Sequence, residues 1–96
     1  MGKGVVNKAV RVVIRGRVQG VGYRMWVERT AASLALRGTV RNRSDACVEI
    51  VLAGPAERIQ TMVELCRAGP RSAKVDAVET SELDWEGEGF TILPTS

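Results

Sequence analysis

Hydrophobic and polar positions alternate in several short stretches of this chain and follow a helical period in two longer ones. Ala9 to Arg15 is rich in β-branched residues and predicts a buried central strand. From Tyr23 to Arg37 the apolar residues recur at helical spacing, and Gly38 follows as a candidate C-cap. This part of the chain therefore predicts a strand, a glycine-containing loop and a helix in succession.

The middle of the chain predicts a hairpin and a second helix. Thr39 to Arg43 and Cys47 to Ala53 are typical of strands, and they flank the turn Ser44-Asp45-Ala46. Gly54-Pro55 stops the second strand, and Gly69-Pro70 ends the helix between these two dipeptides. The apolar face of that helix consists of Ile59, Met62, Val63 and Cys66.

The remaining segments complete the predicted fold. Ala73 to Trp85 is an extended stretch, and Phe90 and Ile92 alternate in a short final strand. The order β-α-β-β-α-β-β with right-handed crossovers predicts an α+β, ferredoxin-like sandwich, with two helices on one face of a mainly antiparallel sheet. We expect residues 9–96 to form one domain and residues 1–8 to form a flexible N-terminal extension.

Composition narrows the classes of function. The chain has 14 Lys and Arg against 11 Asp and Glu, a net charge of +3 that favours small anionic ligands and lacks the basic stripe of a nucleic-acid-binding protein. No stretch approaches the length of a membrane-spanning helix, and Met1 to Ala9 lacks the apolar core of a secretory signal, so a cytoplasmic location is expected. The chain has no histidine, which excludes Cys-His catalysis. Cys47 and Cys66 are expected to be reduced and structural.

The strongest functional signal is the glycine-containing run Gly16-Arg17-Val18-Gln19-Gly20-Val21-Gly22-Tyr23-Arg24. Glycines at positions 20 and 22 adopt positive φ without a Cβ penalty, which allows successive N–H groups to converge on an anion. Arg24 enters the first turn of the helix, where the macrodipole disfavours a cation unless something negative is bound. The alternative is a tight connection with glycines for packing and a surface ion pair. The predicted anion-binding residues are Val18, Gln19, Gly20, Val21, Gly22, Tyr23 and Arg24.

Asn42, at the end of the strand before the hairpin turn, is the second candidate. Asn is common beside turns, so a purely conformational role is the alternative. Its amide can orient a water molecule but cannot accept the proton of that water. Because the chain has no histidine and no evident carboxylate pair or metal-ligand cluster, such modest help fits a labile bond, for example a carboxyl-phosphate anhydride.

The run Gly16 to Arg24 closely resembles the first signature of the acylphosphatase family. Gly38 to Asp45, followed by Val48-Glu49, resembles a second, and the likeness extends from Ala9 to Leu93. It implies an enzyme that needs neither metal nor cofactor and hydrolyses acyl phosphates to a carboxylate and inorganic phosphate. Arg24 would then bind the phosphoryl oxygens with the loop amides, and Asn42 would orient the attacking water. We expect a monomer with a small-molecule substrate, inorganic phosphate or sulfate as competing anions, and neither a nucleic-acid nor a membrane partner.

Two departures from the family pattern lie near the hairpin. Ala46 stands where the family usually has glycine, which costs about 1 kcal/mol if the turn demands positive φ. A rearranged turn would displace Asn42 and weaken turnover. Thr39 replaces an aromatic residue often found there, which bears on packing more than on chemistry.

Two other functions remain open from the residues. One is a phosphate- or carbamoyl-phosphate-binding module with little or no turnover. The other is an RNA-binding domain of ferredoxin-like fold, which is disfavoured because the chain has two Trp, one Tyr and one Phe and none of them pair as stacking residues on a sheet face.

Overall fold

The predicted order of elements is confirmed in the computed structural model, which describes residues 7–96. Two helices and five strands lie within this range, and neither helix is long and apolar enough to cross a membrane. The elements are β1 (Asn7–Arg17), α1 (Tyr23–Ser33), β2 (Arg37–Asn42), β3 (Val48–Pro55), α2 (Ala56–Ala68), β4 (Lys74–Glu82) and β5 (Phe90–Ile92).

The five strands form one sheet in the order β4-β1-β3-β2-β5. All neighbouring strands are antiparallel except β2 and β5, which are parallel. Helix α1 packs over β2 and β5, and α2 packs over β4, β3 and β1. This is the ferredoxin-like sandwich that the alternation of strands and helices predicts.

The core lies between the sheet and the helices. Along β1 the side chains of Val10, Val12 and Ile14 point into it, because successive side chains of a strand face opposite sides. The opposite face of the sheet carries charged residues, where Glu49 lies within 4.0 Å of three arginines. The helices contribute Tyr23, Val27, Ala31, Ile59, Met62 and Cys66 to the core.

The predicted end of the first helix is wrong. Helix α1 ends at Ser33 rather than at Arg37, and Ala35 takes the left-handed conformation with φ 54°. The N–H of Leu36 then donates to Ala31 O at 2.9 Å, which turns the chain so that the Leu36 side chain enters the core. Gly38 is consequently not a C-cap but a residue of β2, where a Cβ would collide with the Val51 carbonyl oxygen.

Strand boundaries also differ from the predicted ones. Strand β1 begins at Asn7, so Asn7 and Lys8 pair with β3 instead of belonging to a flexible extension. The first six residues of that predicted extension lie outside the described residues. Gly54 and Pro55 complete β3 rather than stopping it, because Pro55 takes an extended conformation as N-cap of α2. Strand β4 ends at Glu82, three residues before Trp85.

Candidate active site

The ends of β1 and β2 lie at the same edge of the sheet. Both strands are antiparallel to β3, so they run in the same direction, and Val48 of β3 pairs with Ile14 on one side and Asn42 on the other. The loop after β1 therefore lies beside the last residue of β2. Together they line a pocket of about 180 Å³. Its lining residues are Val18, Gly20, Gly22, Tyr23, Arg24, Met25, Asn42 and Ile92.

Two glycines shape the loop between β1 and α1. Gly20 and Gly22 have φ of 72° and 78°, and Gly22 is the N-cap of α1. A Cβ built on either glycine meets no atom within 4 Å, so the left-handed backbone, not close packing, favours glycine here. The N-cap makes no side-chain hydrogen bond, and the first turn of α1 holds no acidic residue. The positive end of the helix dipole is thus left for a ligand.

Arg24 lies in the first turn of α1 and lines the pocket. Its side chain takes part in no ion pair with a carboxylate among residues 7–96, whereas Arg11, Arg15, Arg41 and Arg43 all do. The arginine is half-buried, and its charge adds to that of the helix N terminus. The two positive groups make this pocket suited to an anion.

Asn42 reaches the same pocket from the end of β2. Its side-chain oxygen Oδ1 is buried and has no hydrogen-bond partner in the part of the chain that the structure describes. A buried acceptor left unpaired costs about 1–3 kcal/mol, so such an atom is expected where a water or ligand completes the bonding. The structure therefore brings together Arg24 and Asn42, the two residues predicted to be catalytic.

Gln19 joins the loop to the hairpin that follows Asn42. Its Nε2 donates hydrogen bonds of 2.9 Å to the main-chain oxygens of both Arg43 and Cys47. The side chain of this predicted anion-binding residue is thereby committed to the turn and does not line the pocket. Sequence spacing holds no signal for this contact, because it joins residues 24 and 28 positions apart.

Val21 and Tyr23 also belong to the predicted anion-binding set. Val21 anchors the loop through its side chain and its carbonyl, and Tyr23 through its side chain. Val21 packs against the core, and its main-chain oxygen accepts a 2.8 Å hydrogen bond from Ser72 Oγ. The buried Tyr23 hydroxyl donates to Cys66 O at 2.9 Å, and burial raises the pKa of Tyr23. Only their backbone N–H groups remain candidates for anion binding.

Two lining residues were missed by the sequence prediction. Met25 follows Arg24 directly and is 58% exposed, a value set by packing that no pattern in the sequence reveals. Ile92 was assigned to the last strand by its alternation with Phe90, but its place beside the pocket depends on the pairing of β5 with β2. Both add apolar surface to the pocket, next to Val18 and the polar groups of Arg24 and Asn42.

The hairpin turn holds Ala46 in the left-handed conformation. Ala46 has φ 73°, and its N–H donates to Arg43 O at 3.1 Å. The N–H of Arg43 donates to Cys47 O at 2.8 Å. The hydrogen bond from the Cys47 N–H and the nearby Arg43 guanidinium hold the pKa of Asp45 below its ordinary value. Ala46 is therefore a strained residue of this turn, in a conformation that glycine adopts more readily.

Comparison with known proteins agrees with this geometry. The acylphosphatase family model matches residues 10–92. The acylphosphatase of Bradyrhizobium diazoefficiens is 50% identical over 93 residues, which cover 90% of this chain and 94% of that protein. The chain belongs to the acylphosphatase family. Membership confirms the resemblance of the two signatures and identifies the chain as an enzyme.

Solved acylphosphatase structures show the same fold. The crystal structure of acylphosphatase from Bacillus subtilis superposes with a TM-score of 0.86 at 37% identity, covering 92% of this chain and 99% of that one. A segment of full-length HypF, in its phosphate- and nucleotide-bound form, superposes with a TM-score of 0.89 at 26% identity. That match covers 99% of this chain and 13% of HypF. The acylphosphatase fold thus occurs alone and as part of a much longer chain.

Proposed function

We propose that this chain hydrolyses acyl phosphates to a carboxylate and inorganic phosphate, with the phosphoryl group held by Arg24 and the loop amides and the attacking water oriented by Asn42. One observation carries this proposal. A single pocket is lined both by an arginine that no described carboxylate neutralises and by Asn42, whose buried Oδ1 has no hydrogen-bond partner among the described residues. The first suits an anion and the second suits a water molecule.

The loop and Arg24 act on the phosphoryl oxygens. During transfer, negative charge is spread over the three equatorial oxygens, and donors already directed at them stabilise the transition state without reorganisation. The guanidinium supplies two parallel hydrogen bonds, and the amides around Gly20 and Gly22 supply the rest. Both residue types therefore contribute to binding and to rate.

Asn42 acts on the water. Its Oδ1 accepts one hydrogen of the water, which directs a lone pair of the water oxygen toward phosphorus. The water oxygen forms a bond to phosphorus while the bond from phosphorus to the acyl oxygen breaks, and its electron pair leaves with the carboxylate. The amide cannot take the proton, so a phosphoryl oxygen of the substrate accepts it. A carboxylate leaving group is a weak base and needs no general acid.

The decisive experiment separates binding from turnover. With benzoyl phosphate as substrate, Arg24→Ala is expected to abolish both hydrolysis and inhibition by inorganic phosphate. Asn42→Ala is expected to keep phosphate inhibition while kcat falls by about 10²- to 10³-fold, the loss typical of one positioned catalytic amide. Asn7→Ala at the start of β1 and Arg67→Ala on α2 are matched controls outside the pocket, with unchanged kinetics expected.

Two outcomes would contradict this assignment. An Asn42→Ala variant as fast as the wild type excludes the water-orienting role. A wild-type protein that binds phosphate but hydrolyses no acyl phosphate supports the alternative, a phosphate- or carbamoyl-phosphate-binding module.

The proposal extends to the conditions of the reaction. Inorganic phosphate and sulfate compete with the substrate, because each presents tetrahedral oxygens to the same donors. A chelator leaves the rate unchanged, since no metal ion takes part in the proposed steps. The enzyme acts as a monomer, so specific activity is independent of protein concentration. A rate that a chelator lowers contradicts the metal-free mechanism. A specific activity that changes with protein concentration contradicts the monomer.

A further inference from the structure

Met25 is an exposed apolar side chain at the pocket. It lies in the first turn of α1, follows Arg24 directly and lines the pocket while 58% exposed. Among residues 7–96, Met25 and Leu65 are the exposed large hydrophobic residues, and Leu65 lies on α2 away from the pocket. Ligand pockets are lined largely by apolar side chains, so the place of Met25 at the pocket, rather than its exposure alone, points to contact with a ligand.

In the proposed function, each polar group of the site acts either on the phosphoryl group or on the attacking water. Arg24 and the loop amides face the phosphoryl oxygens in the proposed function, and Asn42 faces the water. These groups recognise what every acyl phosphate shares. The acyl portion must therefore be distinguished by the apolar part of the lining. Its accessible members are Met25, which is exposed, and Ile92, which is partly buried.

The direction of attack separates these two residues. Ile92 belongs to β5, which pairs with β2, the strand that ends at Asn42. In an in-line displacement the attacking water and the leaving group lie on opposite sides of phosphorus. With the water held at Asn42, the acyl group lies on the opposite side of phosphorus from Asn42, which favours Met25 as its contact over Ile92, a residue of the strand paired with β2.

We propose that Met25 is a specificity-determining residue that contacts the acyl group and makes the enzyme favour acyl phosphates with bulky apolar acyl groups. This inference rests on the proposed function. A methionine side chain is unbranched and adaptable, so it packs against apolar groups of different shapes. Substrate binding then removes apolar surface of both the Met25 side chain and the acyl group from water, which is favourable in free energy. A short acyl group buries less surface and gains less.

The test compares benzoyl phosphate with acetyl phosphate in wild type and Met25→Ala. The ratio of their kcat/KM values is expected to fall by about fourfold to fifteenfold in the variant, as for the loss of one to two buried methylene-sized contacts. Comparing ratios cancels the different intrinsic lability of the two substrates. Leu65→Ala is the matched control and leaves the ratio unchanged. Met25→Leu, which restores an apolar side chain of similar volume, is expected to recover the wild-type ratio.

The failures of the two proposals are distinguishable. Inhibition by inorganic phosphate is expected to be the same in wild type and Met25→Ala, because phosphate has no acyl group. If Met25→Ala hydrolyses acetyl phosphate at the wild-type rate and its ratio is unchanged, Met25 does not contact the acyl group and the proposed function stands. If the wild type hydrolyses neither substrate, the proposed function fails and this inference fails with it.

Discussion

The Gln19 side chain donates a 2.9 Å hydrogen bond to the main-chain oxygen of Arg43, the residue that follows Asn42. Its second hydrogen bond, also 2.9 Å, reaches Cys47 O across the same turn. One amide group thus connects the loop between β1 and α1 to the hairpin turn that follows Asn42. We expect this connection, together with the pairing of β1 and β2 with β3, to fix the distance between Arg24 and Asn42.

Replacing Gln19 by alanine is expected to lower kcat more than phosphate affinity. Without its amide the hairpin moves relative to the loop, and a displacement of about 1 Å at a catalytic group lowers the rate by about 10²-fold. Arg43 O and Cys47 O each lose one of their two hydrogen bonds, which lowers the free energy of unfolding by about 0.5–1.5 kcal/mol for each bond lost. Steady-state kinetics with benzoyl phosphate, phosphate inhibition and urea unfolding measure these effects.

Two variants serve as controls for Gln19. Gln60→Ala, on the exposed side of α2, is expected to change neither kcat nor stability. Gln19→Glu keeps the length of the side chain but presents carboxylate oxygens to two carbonyl oxygens, so it is expected not to restore kcat. A wild-type kcat in Gln19→Ala would show that the strand pairing alone positions Asn42.

Ala46→Gly is expected to stabilise the protein. Ala46 holds φ 73°, a conformation that alanine adopts at a cost of about 1–2 kcal/mol and glycine adopts freely. Part of the gain is lost because glycine has more freedom in the unfolded chain, leaving about 0.5–1 kcal/mol. Ala32→Gly, at an exposed position in α1, is the opposite control, with a loss of about 1 kcal/mol expected. A less stable Ala46→Gly would mean that the turn does not hold positive φ in solution.

Gly38→Ala and Gly20→Ala are expected to differ in stability although both glycines have positive φ. At Gly38 a Cβ collides with the Val51 carbonyl oxygen, so the paired strands must separate and the free energy of unfolding falls by more than about 2 kcal/mol. At Gly20 a Cβ meets open space, so only the conformational cost of about 1–2 kcal/mol applies. Chemical denaturation of both variants makes the comparison. Equal losses would contradict the close approach of β2 and β3 at Gly38.

Stability is expected to fall in alkaline solution. Burial raises the pKa of the Cys66 thiol from 9.0 to about 12 and shifts the pKa of Tyr23 in the same direction. Below pH 9.0 both folded and unfolded chains hold the thiol proton, and above it the unfolded chain releases the proton first. Cys66 then lowers the free energy of unfolding by about 1.4 kcal/mol per pH unit until the folded thiol ionises, and Tyr23 adds a similar slope only above pH 10.0. Urea unfolding across this range measures the slope.

Cys66→Ala is the control for the alkaline effect. The variant is less stable at neutral pH because it leaves a cavity, but its slope above pH 9.0 is expected to be shallower than that of the wild type. Parallel slopes in the two proteins would exclude Cys66 as a source of the pH dependence.

The strand and helix order was predictable because the periods of the pattern reflect which side chains face the core. The end of α1 was not, because the left-handed residue that ends it is Ala35 and not a glycine. Alanine carries no local signal for this conformation. What selects it is the burial of Leu36 against the sheet, a tertiary contact that spacing cannot show.

The same distinction applies to the site. Arg24 and Asn42 could be proposed from the sequence because each stands in a motif at the boundary of a helix or strand, and the structure places both at one pocket. The contact of Gln19 with the hairpin and the exposure of Met25 depend on how separate elements pack. Backbone preferences therefore point to Arg24 and Asn42 as candidates, whereas the contact of Gln19 and the place of Met25 at the pocket require coordinates.

The interior position of β1, between β4 and β3, has a consequence for the rate of folding. Its hydrogen-bonding partners, β3 and β4, both lie far along the chain, so β1 completes its pairing only through long-range contacts. Such topologies fold slowly compared with helical bundles of the same size. The loop between β1 and α1 contacts the hairpin only once β3 is paired in register. During refolding, the proposed phosphate binding is therefore expected to return with the final cooperative step and not with the early appearance of helices.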